Sequence, residues 1–405
     1  MTQQTRRLPL FPLTTVGSWP RPPELLRALG QMQRGKLPVE SFNRLADEAV
    51  LDVLRIQEEA GIDLVTDGEQ RRDNFYSFVA TKLDGVRLMS LSEMLDIVED
   101  KAGFEQILQT LDVPAYSMKN PTCVGKIHQR EPLALDEYRF LAQHTTRPIK
   151  VTLPGPYLLT RSMWVKEVTQ AVYASKEELA EDVVGILQGE ALALREAGAD
   201  FIQFDEPVFT ELVFTQGRTR TFMCAALAAT QDPTEELNFA VSLINRVVAN
   251  LEGIRTGMHI CRGNWSQKES ILLNGSYSPL IPFLERMHVQ QLVLEYATPR
   301  AGELASLFSS AQICQQKEPG LGVVNPRTTE IESADAIVTR VKEALAYLPP
   351  ERIFLNPDCG FGTFASRPMN TWEIAQQKLI AMAEAATCLR REYMSNTATS
   401  KQTAK

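Results

Sequence analysis

Short apolar runs, each closed by a glycine, a proline or a polar residue, recur along this chain with longer amphipathic stretches between them. The runs are LTTVGSWP at 13–20, IDLVTDGE at 62–69, PIKVTLPG at 148–155, ADFIQFDEP at 199–207, RTGMHICRG at 255–263, QLVLEYA at 291–297, GLGVVNP at 320–326 and RIFLNPDCG at 352–360. They are too apolar for strict in-and-out alternation, which suits strands of a parallel sheet covered on both faces. Between them, apolar residues recur at i, i+3 and i+4 over 43–61, 175–199, 233–253, 278–288, 300–314, 333–348 and 369–393, which predicts helices. The first two stop at Gly61 and Gly198, and Ser175 with Glu178 three residues on matches a capping box. Eight strands, each followed by helix, predict an α/β fold of the (β/α)8 TIM-barrel type.

The stretch from about 85 to 147, between strands 2 and 3, is far longer than an ordinary βα connection. It holds apolar helical pieces (LSEMLDIVED, FEQILQTL) and YSMKNPTCVGKI, which reads as a hairpin turned at Asn120-Pro121. A long ordered insertion at the loop end of a barrel is expected to be a lid or wall for the site. The organisation expected is an N-terminal extension over 1–12, a single barrel domain over 13–393 and a polar, disordered tail over 394–405.

Composition narrows the function classes. A chain of 405 residues that is 44 % hydrophobic can bury a large core. A net charge of −8 provides no basic stripe for phosphates, so no nucleic acid is expected as partner. The start, MTQQTRRLPLFPLTT, lacks the apolar core of a signal peptide, and no run approaches the roughly 18 apolar residues of a membrane span. No membrane association is expected, and the compartment expected is cytoplasmic. The six cysteines are not closely paired, so they read as free thiols or metal ligands. Cys224, Cys314 and Cys388 sit in partly apolar helical stretches and are expected to fill core, with Cys123 left open.

The polar residues fall where strands end, which in a parallel barrel is the catalytic face. They are Ser18, Asp67 and Glu69, Asp205 and Glu206, His259 and Cys261, Glu295, Asn325 and Arg327, and Asp358 and Cys359. His259 and Cys261 are two apart, so on an extended chain they share a face. With Cys359 and Glu295 they make an N, S, S, O set suited to zinc. A lone histidine or cysteine more often packs in a core, and Glu295 could equally pair with an arginine; it is the joint occurrence that favours a metal. His128, His144 and His288 are expected in solvent.

The strings TTVGSWP, TDGEQRRDNF, PIKVTLPGP, IQFDEP, HICRGN and NPDCGFGT, in this order over about 8–390, resemble the C-terminal catalytic barrel of the cobalamin-independent methionine synthase family, in its short single-barrel members. The resemblance implies His259, Cys261, Glu295 and Cys359 as zinc ligands, Ser18 on the substrate carboxylate, and Glu69 and Asp205 on its ammonium group. It implies a zinc-dependent S-methyltransferase that activates homocysteine and forms methionine, like 5-methyltetrahydropteroyltriglutamate-homocysteine S-methyltransferase. After strand 7 the family's two-barrel enzymes carry a histidine that serves the folate donor; Arg327 stands there, with Asn325 in place of an aspartate. The methyl donor is therefore left open between a folate and a corrinoid protein.

The chemistry follows from the residues as well. Thiolate, not thiol, is the nucleophile, and a coordinated thiol is deprotonated outright. Two further readings remain at this level. One is a sibling alkyltransferase on another thiol, such as an epoxide:coenzyme M transferase, with Arg21, Arg72, Arg161, Arg262 and Arg327 as candidates for a sulfonate. The other is a binding protein whose four ligands enclose a structural zinc.

Overall fold

The computed structural model describes residues 6–97, 119–214 and 232–402, the last eight of these in backbone only. Six strands, Lys150–Pro154, Phe201–Asp205, Arg255–Ile260, Gln291–Leu294, Glu318–Val324 and Phe354–Pro357, lie parallel and in sequence order in one sheet. Three parallel bridges close the ring: Leu13 with Leu355, Thr14 with Leu64, and Val65 with Ile149. Residues 13–14 and 64–65 thus take the first and second places of an eight-membered barrel, as the spacing of apolar runs predicts. Nearly every strand residue is buried, because helices cover the outside and side chains fill the inside.

The first two strands shrink to single bridges for a reason that periodicity does not carry. Gln57, on the helix Val39–Glu59, donates from Nε2 to the Thr66 carbonyl at 2.8 Å and accepts from Thr66 N at 3.0 Å. Both backbone groups that would extend the ladder are taken by one side chain. Asp63 Oδ2 likewise accepts from Leu13 N at 2.8 Å.

The helices follow their sequence signals closely. Lys176–Ala197 begins where Ser175 Oγ accepts from Glu178 N and ends at Gly198 in the left-handed region (φ +101°). Glu178 reaches back to Ala174 N at 2.6 Å, one residue before the N-cap. Pro233–Val247 is capped by Asp232, which accepts from Thr234 N and Glu235 N. The stretch 300–314 is broken into short turns around Leu304–Phe308 and Ala311–Gln316 rather than forming one helix. The last helix, Trp372–Gln402, runs on past residue 393, where order was expected to end.

The insertion departs most from expectation. Leu83–Ser90 pairs antiparallel with Lys119–Gln129, and Asn120 and Pro121 lie inside the second strand, opposite Met89 and Leu88. They do not form the turn. A two-stranded ladder has free edges and tolerates a proline, and Asn120 Nδ2 is occupied with the carbonyls of Pro121 and Ser162. The piece LSEMLDIVED begins as the helix Leu91–Ile97, while FEQILQTL lies outside the described residues. The hairpin packs on the helices Pro156–Met163 and Lys176–Ala197. Cys123 is buried in it, Cys314 is half-buried and Cys388 is exposed, so Cys388 does not fill core; Cys224 lies outside the described residues. His128, His144 and His288 are exposed as expected. Among the described residues no helix is long and apolar enough to cross a membrane.

Candidate functional site

The carboxyl ends of the strands surround a cavity of about 430 Å³, counting the part open to solvent. Six of the seven expected site residues line it: Ser18, Glu69, Asp205, His259, Cys261 and Cys359. Val16, Phe75, Pro207, Asn264, Gly360 and Thr363 complete the described lining. None of the described residues of the insertion is among them, and residues 98–118 of it lie outside the described residues.

His259 and Cys261 come from the end of the fifth barrel strand, and Cys359 follows the eighth by two residues. One donor atom from each lies within 4.8 Å of the others. Zinc bonds of about 2.0–2.3 Å in a tetrahedron separate the donor atoms by roughly 3.3–3.8 Å, so the three fit around one ion with small adjustments. Asp205 is paired in register with His259 on the neighbouring strand, and its Oδ1 accepts from His259 Nδ1 at 2.9 Å. That bond leaves Nε2, which is buried and has no hydrogen-bond partner. An orphaned imidazole nitrogen beside two thiols, its ring braced by a carboxylate, is the donor set of a metal ligand and its support.

The two thiols lie close to each other at the cavity wall. The hydrogen bond from Cys359 holds the Cys261 thiol below its usual range and, seen from the donor side, pushes Cys359 well up, with burial adding to it. Burial pulls the His259 imidazole down, but the Asp205 bond and the charges of Asp205, Cys261 and Glu295 outweigh it and raise it.

Glu295 stands outside the three-residue group. Its Oε1 accepts from Arg262 N at 2.8 Å and its Oε2 from Arg300 Nη2 at 2.6 Å, with Arg327 Nη2 at 3.6 Å. Burial pushes this carboxyl up, yet Arg300, Arg327 and Arg262 together hold it below the usual range. Glu295 thus makes the arginine pair that the sequence also allows. Asp358 ties this region to Cys359: its Oδ1 accepts from Tyr296 N and Ala297 N, each at 2.8 Å, and its Oδ2 from Arg327 Nη2 at 3.3 Å.

Glu69 faces the cavity from a left-handed backbone (φ +54°), which costs a non-glycine residue on the order of 1 kcal/mol. Three bonds hold it there: its N donates to Asp67 Oδ1 at 3.0 Å, and its carbonyl accepts from Arg21 Nη2 at 2.8 Å and Arg72 N at 3.0 Å. Thr152 Oγ1 donates to Oε1 at 2.8 Å, while Oε2 is buried without a partner. Burial raises this carboxyl to about 7, against the pull of Arg72. Glu206 has a different task from its neighbour: it accepts from Tyr157 N and Leu158 N and caps the helix Pro156–Met163. Burial lifts it to about 8.

The five arginines weighed as sulfonate clamps are buried and bonded to protein, and none lines the cavity. Arg21 bonds to Gly362 O and Glu69 O, Arg72 to Glu137 and Thr152, Arg161 to Tyr157, Arg262 to Gly275 O, and Arg327 to Glu269, Asn264 and Asp358. Sequence reasoning missed Arg300, Thr152, Asn264 and the bracing by Asp358. Asp358 had a signal in its place beside Cys359 at a strand end, and Asn264 and Thr152 stand in the strings HICRGN and PIKVTLPG; Arg300 had none.

A parallel barrel that gathers two thiols, an imidazole and two carboxylates at its strand ends is a barrel enzyme with a candidate metal centre. The profile of the cobalamin-independent synthase catalytic domain matches residues 11–388. The methionine synthase of Thermococcus kodakarensis is 31 % identical over 386 residues, 95 % of each chain. That of Pyrococcus abyssi is 30 % identical over 386 residues, 95 % of this chain and 94 % of its own. A B12-independent methionine synthase from Shewanella sp. W3-18-1, solved in complex with selenomethionine, shares the fold with a TM-score of 0.72 at 24 % identity, over 95 % of this chain and 99 % of that one. The chain belongs to the cobalamin-independent methionine synthase family, and is by that membership a methyltransferase.

Proposed function

We propose that the protein is a zinc-dependent S-methyltransferase that methylates the thiol of homocysteine to form methionine. The observation that carries this reading is the approach of one donor atom each from His259, Cys261 and Cys359 to within 4.8 Å of one another, with His259 Nε2 buried and without a hydrogen-bond partner. These three residues would hold the ion; zinc there would supply a thiolate form of the incoming thiol near neutral pH, where a free thiol is only a few per cent ionised.

The remaining roles belong to the chain itself. Glu69, with Oε2 unpartnered, and Asp205, through the oxygen not bonded to His259, accept from the substrate's ammonium group. Ser18 donates to its carboxylate. A thiol without the ammonium leaves Glu69 Oε2 and the second Asp205 oxygen without a partner and is rejected on that account. Glu295 must exchange Arg300 for the ion to serve as a fourth ligand. While that pair stands, three protein ligands leave a position for substrate sulfur, which favours a catalytic over a closed structural site.

Arg327 bears on the methyl donor. It is fully buried among Asp358, Glu269 and Asn264, and a guanidinium gives up no proton near neutral pH. A folate that must be protonated as its methyl leaves finds no acid in that residue, so a methylated corrinoid protein is the donor favoured. An assay of homocysteine methylation against methyltetrahydrofolate, methylcobalamin and a methylated corrinoid protein, with metal analysis, tests the reading. About one zinc per chain is expected, and a Cys359→Ser protein with less zinc and no turnover; full activity in metal-free protein would refute it.

A further inference from the structure

Behind the cavity a line of four side chains runs from the barrel interior to His259. Lys150, 1 % exposed on the third barrel strand, donates from Nζ to the Thr15 carbonyl and, at 2.9 Å, to Gln203 Oε1. Gln203 Nε2 donates to the Val16 carbonyl at 2.8 Å and to Asp205 Oδ1 at 2.9 Å. Asp205 Oδ1 in turn accepts from His259 Nδ1 at 2.9 Å. The Lys150 and Gln203 groups are 1 % and 0 % exposed, so no solvent competes for these bonds.

Donor and acceptor counting leaves this line one arrangement. The Gln203 amide has two N–H donors, and both meet groups that only accept, the Val16 carbonyl and the Asp205 carboxylate; its oxygen must therefore face Lys150. Lys150 satisfies that oxygen and is held in turn by the Thr15 carbonyl. Burial lowers its amine to about 7, against Asp205 and Glu69, but a neutral amine still donates both bonds, so the arrangement does not depend on its titration. With Gln203 anchored, Asp205 Oδ1 is fixed in place, the imidazole must present Nδ1–H to it, and Nε2 is left as the free lone pair. The other Asp205 oxygen stays available to the cavity.

We propose that Lys150 is a positioning residue for the metal centre, acting through Gln203 and Asp205 to fix the orientation of the His259 ring and thereby the affinity of the site for its ion. The part concerning affinity rests on the zinc reading given above; the part concerning the ring does not.

The test uses the full chain with 15N-labelled histidine, whose four residues give a simple spectrum. The first readout is the downfield Nδ1–H proton of His259 in metal-free protein. The second is competition for zinc with a chromophoric chelator. Lys150→Met keeps bulk and removes the donor: loss or broadening of the resonance is expected, with zinc affinity about tenfold lower, as for removal of an outer support of a metal ligand. Gln203→Leu should do the same, and the double variant should be no worse than Gln203→Leu alone, because the two act along one route. A folded Lys150→Met protein with both readouts unchanged overturns the proposal, as do additive losses in the pair. Should Lys150→Met not fold, Gln203→Glu serves with the lysine in place. It confronts Asp205 with a second carboxylate, so the same losses are expected and unchanged readouts are again contrary. A parent protein that shows the resonance but retains no zinc defeats the metal reading and leaves the relay to Asp205 intact.

Discussion

Arg300 Nη2 donates to Glu295 Oε2 at 2.6 Å, and the two side chains are 5 % and 1 % exposed. Removing one partner of such a buried pair strands the other, at a cost of about 3 kcal/mol. Arg300→Met should therefore lower the Tm of metal-free protein. If Glu295 can turn to the ion, zinc restores more of the lost stability in the variant than it adds to the parent. Thermal unfolding with and without zinc checks both points, and an equal zinc increment in the two proteins would keep Glu295 out of the ligand set.

Glu69 supplies a pH dependence with a defined sign. Burial, opposed by Arg72 and reinforced by Asp205, raises its carboxyl to about 7. Below that pH the group is neutral and cannot pair with an ammonium; above it the group is charged and can. Measured on the free enzyme, kcat/KM for homocysteine should rise through about pH 7. Glu69→Gln should remove that step and raise KM by roughly tenfold to a hundredfold, the worth of a charged hydrogen bond of about 1.5–3 kcal/mol. A pH profile unaltered in Glu69→Gln would assign the step to another group.

Gly17 lies against the same carboxylate. A Cβ there would stand 2.5 Å from Glu69 Oε1 and 2.8 Å from Thr152 Cγ2, so Gly17→Ala must displace the carboxylate from the cavity wall. Zinc content should be unaffected while KM for homocysteine rises. Metal analysis beside steady-state kinetics separates the two effects, and an unchanged KM would mean that Glu69 does not hold the ammonium.

Arg327→His puts a histidine where the resemblance to the two-barrel members of the family implies one. Here the guanidinium is bonded to Asp358, Glu269 and Asn264, so the change leaves two carboxylates short of a partner. Loss of stability is expected, with no gain in turnover from methyltetrahydrofolate. A variant that folds well and accepts the folate would show that this one position controls the donor.

Much of this architecture is legible in the sequence because the signals are local. Eight apolar runs mark eight barrel places, Gly198 and Ser175 bound their helix, and strand ends collect the polar residues. The strings around His259 and Cys359 bring distant ligands together because the barrel puts all strand ends on one rim. What is not legible depends on partners remote in sequence. Gln57 shortens the second strand from a neighbouring helix, Asn120 and Pro121 sit in a strand because the insertion has free edges, and Glu295 meets an arginine in a loop without periodicity. The Asp205–His259 bond follows from strand register, which apolar spacing alone does not set.

The proposed methyl transfer requires His259, Cys261 and Cys359 to hold one zinc ion that also receives the substrate's sulfur. X-ray absorption at the zinc edge, with and without homocysteine, tests this most directly. Two sulfurs at about 2.3 Å with a lighter N/O shell are predicted for the protein alone, and three sulfurs once homocysteine is added. A protein that retains no zinc, or a zinc whose two-sulfur shell is unchanged by homocysteine, would contradict it.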